Sequence, residues 1–277
     1  MLSRAQFPHL NIIYKLHFIT KIKMLKKNRV KDMLKEGRVT IGSWVNFGIP
    51  DSPEILSHMG LDWLVFDTEH GPWSIETVQK MIQATAGTDI IPIVRVAWND
   101  PVLIKRALDI GAYGIIVPWV NTKEDAIKAV LATRYPPKGI RGTGPRRCAL
   151  YGLETSEYIK YADDLIIVIV QIETIEAINN LEEILSVDGV DAIFIGPMDL
   201  SASLGIIGDT KNPINLHTIN KIFETGKKAG VAVGIYSLGA DYNRKHIEQG
   251  FQFVVLGSDM SFMIHGLRDV LKKAGRA

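Results

Sequence analysis

Eight short runs rich in apolar and β-branched residues recur along this chain, at 40–45, 63–67, 91–96, 114–118, 166–171, 192–195, 231–235 and 253–256. Between them lie stretches whose apolar residues return at helical spacing. Strands that are apolar on both faces need cover on both sides, and intervening helices supply it. The alternation predicts βα units around a parallel sheet. Helices are expected at 53–59, 75–86, 101–109, 122–134, 174–185, 215–229, 238–249 and 259–273. Ser74 and Asp100 stand where N-caps are needed, and glycines 60, 87, 111, 230 and 250 stand where helices should stop. Eight such units predict an α/β chain of the (β/α)8 TIM barrel type, with a long insertion between strands 4 and 5. An open doubly wound sheet is the competitor. It lacks its Gly-x-Gly-x-x-Gly signature after the first strand, and polar residues follow many strands here rather than one switch point. The insertion, 135–164, is rich in Pro, Gly and Arg and is expected to form a lid or binding element on the active face.

Charge narrows the classes of function. The chain has 277 residues, with 32 basic against 30 acidic and a formal net charge of +2. That balance gives no strong field for a polyanion. The one dense basic run is Lys21, Lys23, Lys26, Lys27, Arg29, Lys31, Lys35 and Arg38, without a zinc-finger or helix-turn-helix pattern, so nucleic acid is not an expected partner. The longest apolar run, 165–170, is too short to span a bilayer, and no membrane partner is expected. A single cysteine, Cys148, excludes an intrachain disulfide and suits a reducing, cytoplasmic setting. Its arginine neighbours could lower a thiol pKa, but it reads as an incidental thiol. Residues 1–23 read as a loosely held or non-native tail, followed from Met24 by one domain, 24–277.

Barrel chemistry collects at the C-terminal ends of the strands. There the sequence passes from buried runs straight to ionisable residues: Asp67-Thr68-Glu69-His70, then Arg95, then Gln171-Ile172-Glu173, then Gly196-Pro197-Met198-Asp199. A carboxylate at such a place is costly to desolvate unless paired or bound to metal. Glu173 and Asp199 come from adjacent strands and would repel at close range, and a hard divalent cation removes that penalty. The plainer reading pairs Glu173 with Arg95 or Arg141 and gives Asp199 a helix-capping role. His70 is the natural general base, needing a carboxylate such as Asp67 to fix its tautomer, or else a structural histidine. Arg95 suits a substrate carboxylate or enolate oxygen, or an internal salt bridge. The basic 139–145 loop could receive a carboxylate or phosphate through its backbone N–H groups. His58, His246 and His265 fall on helices and read as surface or capping residues.

These residues carry a resemblance. The runs Asp62–His70, Arg95–Asp100, Arg134–Gly142, Gln171–Thr174 and Phe194–Ser201 together resemble the class II pyruvate aldolases typified by 4-hydroxy-2-oxoheptanedioate and 2-dehydro-3-deoxyglucarate aldolases. The resemblance implies an aldehyde-lyase that cleaves a 4-hydroxy-2-oxo acid to pyruvate and an aldehyde through a metal-stabilised enolate. It implies Glu173 and Asp199 as ligands of Mg²⁺, Mn²⁺ or Co²⁺, His70 as base and Asp109 as its paired carboxylate. It further implies that Asp67 supports metal-bound water, that Arg95 and Gln171 contact pyruvate, and that Trp44 lines the pocket beside Gly196, Met198 and Tyr236. A hexamer whose dimers exchange the C-terminal helix, 259–273, is the implied assembly. Bulk at Trp73, Met198 and Tyr236 departs from the usual pattern and should narrow the aldehyde side. The rivals are a related lyase or synthase acting on a CoA thioester, a citrate-like acid or oxaloacetate, and a non-catalytic barrel that binds a small acid.

Overall fold

The computed structural model describes residues 27–237 and 239–276. The expected tail, 1–23, lies outside them, as does Leu238, where the seventh helix was expected to begin. Strands β1 (Thr40–Val45), β2 (Trp63–Asp67), β3 (Ile91–Arg95), β4 (Gly114–Val117), β5 (Ile167–Ile172), β6 (Ala192–Ile195), β7 (Ala232–Tyr236) and β8 (Phe253–Ser258) pair in parallel and in order. β8 closes on β1. The expected (β/α)8 barrel is what the chain forms.

The period-2 geometry of strands sorts the core into two layers. Trp63, Val65, Ile93, Ile116, Ile169, Phe194 and Phe253 fill the barrel interior. Leu64, Phe66, Val94, Ile115, Val168, Ile193 and Val254 face the helices. Burying each such side chain contributes roughly 1.5–3 kcal/mol. Trp63 lies flat on Phe253, with ring centroids 3.8 Å apart. Gly42 makes room for that indole: a Cβ there would lie 2.2 Å from it.

The caps fall where the sequence places them. Ser74 accepts the Thr77 N–H at 3.3 Å, and Asp100 accepts those of Val102 and Leu103 at 2.8 and 3.0 Å. The five helix-end glycines all have positive φ. The stretch expected as one helix over 174–185 is two, Ile175–Asn179 and Leu181–Leu185. They break at Asn180, whose side-chain amide donates to the Asn121 carbonyl.

The base of the barrel, at the N-terminal strand ends, is stoppered by a helix, Arg29–Lys35, absent from the sequence-based expectation. Val30 and Leu34 enter the interior cluster from below. Asn28 donates to the Tyr113 and Leu165 carbonyls at 3.0 and 2.7 Å. Lys31 pairs with Asp191 at 3.1 Å and Arg29 with Asp62 at 2.7 Å. The described cations of the basic run are thus partly consumed inside the fold.

The insertion does not lie where it was expected. It follows the helix Lys123–Thr133, which runs from the mouth of the barrel to the base, and it ends at the foot of β5. None of its residues lines the cavity at the mouth. Arg141, on the loop expected to receive an anion and one of the two arginines that could have paired with Glu173, is buried, bonded to Asp109 at 2.7 Å and Tyr158 at 3.0 Å, and lies over the Tyr135 ring. A guanidinium this enclosed serves as an internal tie. Burial also pushes the Cys148 thiol up, the reverse of activation.

The C-terminal helix, Asp259–Lys273, meets the barrel mainly at β1 and β8, and Asp259 is its only buried residue. That carboxylate accepts the N–H groups of Asn46 and Phe47 and the Ser52 hydroxyl. Met263, Leu267 and Val270 are about 60 % exposed. Among the described residues no helix is long and apolar enough to cross a membrane.

Candidate active site

The interior rows of the barrel end in polar groups at the mouth. On β2 the row Trp63, Val65 ends in Asp67. On β3 the row Ile91, Ile93 ends in Arg95, and register sets Asp67 beside Arg95. On β5 the row Ile167, Ile169 continues to Gln171 and Glu173. On β6 the row Ala192, Phe194 ends in Gly196, and Asp199 follows in the first turn of the helix Pro197–Ser203. The same two-residue period that packs the core therefore delivers the charges. Asp67, Arg95, Gln171, Gly196 and Asp199 line a cavity of about 1140 Å³, with Glu173 behind Gln171.

Arg95 is the hub of the acidic wall. Its Nε and Nη2 donate to both oxygens of Asp67 at 2.9 and 2.7 Å, and Nη1 meets Glu69 at 2.9 Å. Burial works against its charge, and Asp67, then Glu69 and Glu173, outweigh that and keep it protonated. Arg95 is therefore held by an internal salt bridge and also lines the cavity. An arginine has five N–H donors, so some remain for a substrate anion. Glu69 was not singled out from sequence. Burial raises its pKa, Arg95 opposes this, and the charge of Asp199 reaches it.

Glu173 and Asp199 face one space beside Gly196, which the side-chain amide of Gln171, bonded to Glu173, also borders. A Cβ built on Gly196 would lie 3.0 Å from Glu173 Oε2 and 3.6 Å from Asp199 Oδ2. Both oxygens thus converge on one small space. Neither Arg95 nor Arg141 forms an ion pair with Glu173 among the described residues. Glu173 accepts the Trp119 N–H at 2.9 Å and the Gln171 amide. Burial pushes its carboxyl up to about 7, and the charges of Asp199 and Glu69 add to the effect. The Gln171 Oε1 is buried without a hydrogen-bond partner. Converging hard oxygen donors, one of them expensive to ionise alone, fit a divalent cation. Among the described residues no cluster of three or more His, Cys, Asp or Glu is set to hold a metal. A site on Glu173 and Asp199 would leave positions for a bidentate ligand.

Trp119 could not be found by reading. It holds φ of +54°, rare for a bulky residue, and its N–H donates to Glu173.

His70 is exposed at the cavity rim. Asp67 accepts the backbone N–H groups of Glu69 and His70 at 3.0 and 3.4 Å, and both its oxygens are bonded to Arg95. Among the described residues the His70 ring has no hydrogen-bond partner. Asp109 does not supply one within this chain. It ends the helix Pro101–Asp109, at the base side of the wall, and bonds Arg141. The expected His70–Asp109 pair is therefore not formed in a single copy, because helix length sets the two residues at opposite ends of the barrel.

Aromatic rings make the floor. Trp44 is buried, stacks on Phe194 at 5.3 Å, meets Tyr236 edge-on at 5.5 Å and lies under the Arg95 guanidinium. Met198 and Tyr236 line the cavity beside Gly196. Burial raises the Tyr236 pKa.

The cavity continues outward over the helices Pro213–Lys228 and Ala240–Gln249. Lys211, Leu216, Ile219, Tyr242 and His246 line this part. His246, expected on a surface, is half-buried, with burial lowering its pKa and Nδ1 left without a partner. Its approach to the cavity depends on how two distant helices pack, which no local pattern encodes.

Known proteins match this arrangement along most of the chain. The HpcH/HpaI aldolase/citrate lyase family matches residues 40–266. The 4-hydroxy-2-oxo-heptane-1,7-dioate aldolase of Salmonella typhimurium is 41% identical over 251 residues, 90% of this chain and 95% of that protein. The crystal structure of a family protein from Burkholderia cenocepacia J2315 superposes with a TM-score of 0.86 at 35% identity, covering 89% of this chain and 99% of that one. A citrate synthase, SbnG, superposes with a TM-score of 0.79 at 32% identity, covering 88% and 96%. This chain belongs to the HpcH/HpaI aldolase/citrate lyase family.

Proposed function

We propose that this protein is a divalent-metal-dependent aldolase that cleaves a 4-hydroxy-2-oxo acid to pyruvate and an aldehyde, and joins them in reverse. The observation that carries the reading is the convergence of Glu173 Oε2 and Asp199 Oδ2 on the space beside Gly196. These two residues would hold the metal, Mg²⁺, Mn²⁺ or Co²⁺. When bound there, the ion supplies Lewis-acid stabilisation of the enolate charge on the keto acid. Arg95 orients the substrate carboxylate with the donors that Asp67 and Glu69 leave free. Gln171 presents its unpartnered Oε1 to the same end of the cavity. Trp44 excludes water beneath. His70 takes the proton from the 4-hydroxyl as the C3–C4 bond breaks, and returns it in condensation. Asp67, tied to Arg95, holds the loop that carries His70 through its backbone N–H groups.

The pairing of His70 with Asp109 then requires a second copy of the chain. The exposed apolar side chains of Asp259–Lys273 support such an assembly, for which a hexamer with exchanged C-terminal helices is the expected form. A reducing, cytoplasmic setting suits the lone Cys148. The citrate synthase relative favours a second reading, a condensation on oxaloacetate or a citrate-like acid, with the same carboxylates and arginine.

The test is a panel of aldehydes with pyruvate, alongside oxaloacetate, with Mg²⁺ or Mn²⁺ and with EDTA. Aldol turnover that EDTA abolishes is expected. Turnover that survives full chelation would remove the metal from the reading, and a His70→Ala enzyme at full rate would remove the base. Mixing inactive His70→Ala and Asp109→Ala subunits should restore part of the activity if the pair forms between copies. Unrestored mixtures would sink that arrangement.

A further inference from the structure

One of the two converging carboxylates is held by a part of the mouth that the cavity does not use. The oxygens of Glu173 keep different company. Oε1 accepts the Trp119 N–H at 2.9 Å, while Oε2 accepts the Gln171 amide and borders the space beside Gly196. Fixing one oxygen decides where the other points. The Trp119 bond also favours the ionised form of Glu173, against the burial that raises its pKa.

Trp119 donates that bond from a costly backbone conformation. Among the described residues three besides glycine have positive φ: Leu150 and Tyr151 in the insertion, and Trp119, at +54°, just past the end of β4. The chain is fixed on either side of it. Val117 pairs with Val170, Val120 is fully buried, and the Asn121 N–H is bonded to Asp125 at 3.1 Å. With both flanks held, a change in the sign of φ would rotate the planar peptide that carries the Trp119 N–H, and so take it from Glu173. The Trp119 indole is half-exposed and lies against the half-exposed Trp98 indole, with ring centroids 6.2 Å apart. Neither ring lines the cavity, so neither is placed to touch substrate. An aromatic contact of this kind is comparable in size to the cost of a left-handed residue.

We propose that Trp119 is a positioning residue for the metal site: its left-handed backbone, braced by Trp98, holds Glu173 Oε1 so that Oε2 is presented to a divalent cation shared with Asp199. This rests on the metal-dependent reading above and adds what sets the direction of the ligand. The brace crosses three strand ends, from Trp98 after β3 through Trp119 after β4 to Glu173 after β5. A glycine at 119 would hold the same conformation without help. A β-branched residue would leave it.

The experiment measures Mn²⁺ binding to the full chain, by the electron paramagnetic resonance of the free ion, with no substrate present. The dissociation constant should rise about tenfold or more in Trp119→Val, and by a smaller factor in Trp98→Ala. Trp119→Gly should bind close to the wild type. Adding Trp98→Ala to Trp119→Gly should change nothing further, because a glycine needs no brace. Thermal melts follow the fold, and Trp119→Ala replaces the valine variant if that one does not fold. Wild-type affinity in Trp119→Val overturns the proposal. So does an equal loss in Trp119→Val and Trp119→Gly, which would assign the effect to the indole and not to the backbone. Unchanged affinity in Trp98→Ala overturns the part given to the brace. Asp199→Asn separates these failures from that of the reading beneath them. If Asp199→Asn loses Mn²⁺ while Trp119→Val keeps it, the positioning alone has failed. If the wild type binds no Mn²⁺, or Asp199→Asn binds it equally well, the metal site has failed too.

Discussion

The two ends of this barrel are built from the same strands and treat charge in opposite ways. At the base, Arg29, Lys31 and Asn28 are consumed by Asp62, Asp191 and backbone carbonyls, and Val30 and Leu34 close the interior. At the mouth, Glu173 is pushed up to about 7, and the Gln171 oxygen has no partner. A satisfied charge network fixes structure; an unsatisfied one stores a demand that a ligand meets. The contrast locates function without reference to any relative.

If the contrast is sound, substitutions at the two ends should separate activity from stability. The largest effect is expected at the mouth. Glu173→Gln should lower aldol kcat by about 10³-fold, in the range of losing one electrostatic stabiliser of a transition state, while the melting temperature holds or rises. A steady-state assay with thermal melts checks both. At the base, Leu34→Ala should cost roughly 2–5 kcal/mol of stability in denaturant titrations and leave KM for pyruvate unchanged. Altered substrate kinetics there would erase the distinction between the ends.

A smaller effect concerns pH in metal-free protein. The Glu173 carboxyl is raised in the fold, so the unfolded chain releases that proton first. Stability therefore falls as pH rises from about 4.5 to about 7, by on the order of 3 kcal/mol at most. Glu173→Gln should flatten that slope in melts at a series of pH values, and added Mg²⁺ should flatten it in the wild type. The smallest effect belongs to an exposed pair, Lys138–Asp163, at the base. Lys138→Ala should leave the denaturant midpoint close to that of the wild type, and a clear loss in the same titrations would show that surface charge at the base matters more than its geometry suggests.

Much of this was legible before any coordinates. Strand rows such as Trp63-Val65-Asp67 and Ile91-Ile93-Arg95 state their own facing, because the period of two is local. Ser74, Asp100 and the helix-end glycines are equally local. Three features were not. The plug helix is seven residues long, too short for a periodic pattern to stand out. The insertion was set at the mouth because long barrel loops usually lie there, yet it leaves from the end of a helix and so belongs to the base. The partners of Arg141, Trp119 and Lys211 lie across distant segments, and nothing in the spacing of residues encodes them. Asp109 was expected against His70 and stands on Arg141.

The stopper at the base also bears on the order of events. With Val30, Leu34, Trp63 and Phe253 filling the interior below the floor, the described residues close the barrel at its base and leave the cavity at the mouth. On the aldolase reading proposed above, the aldehyde is the fragment nearer the mouth, so ordered kinetics are the expected outcome: the keto acid first in during synthesis and last out during cleavage, which product-inhibition patterns would check.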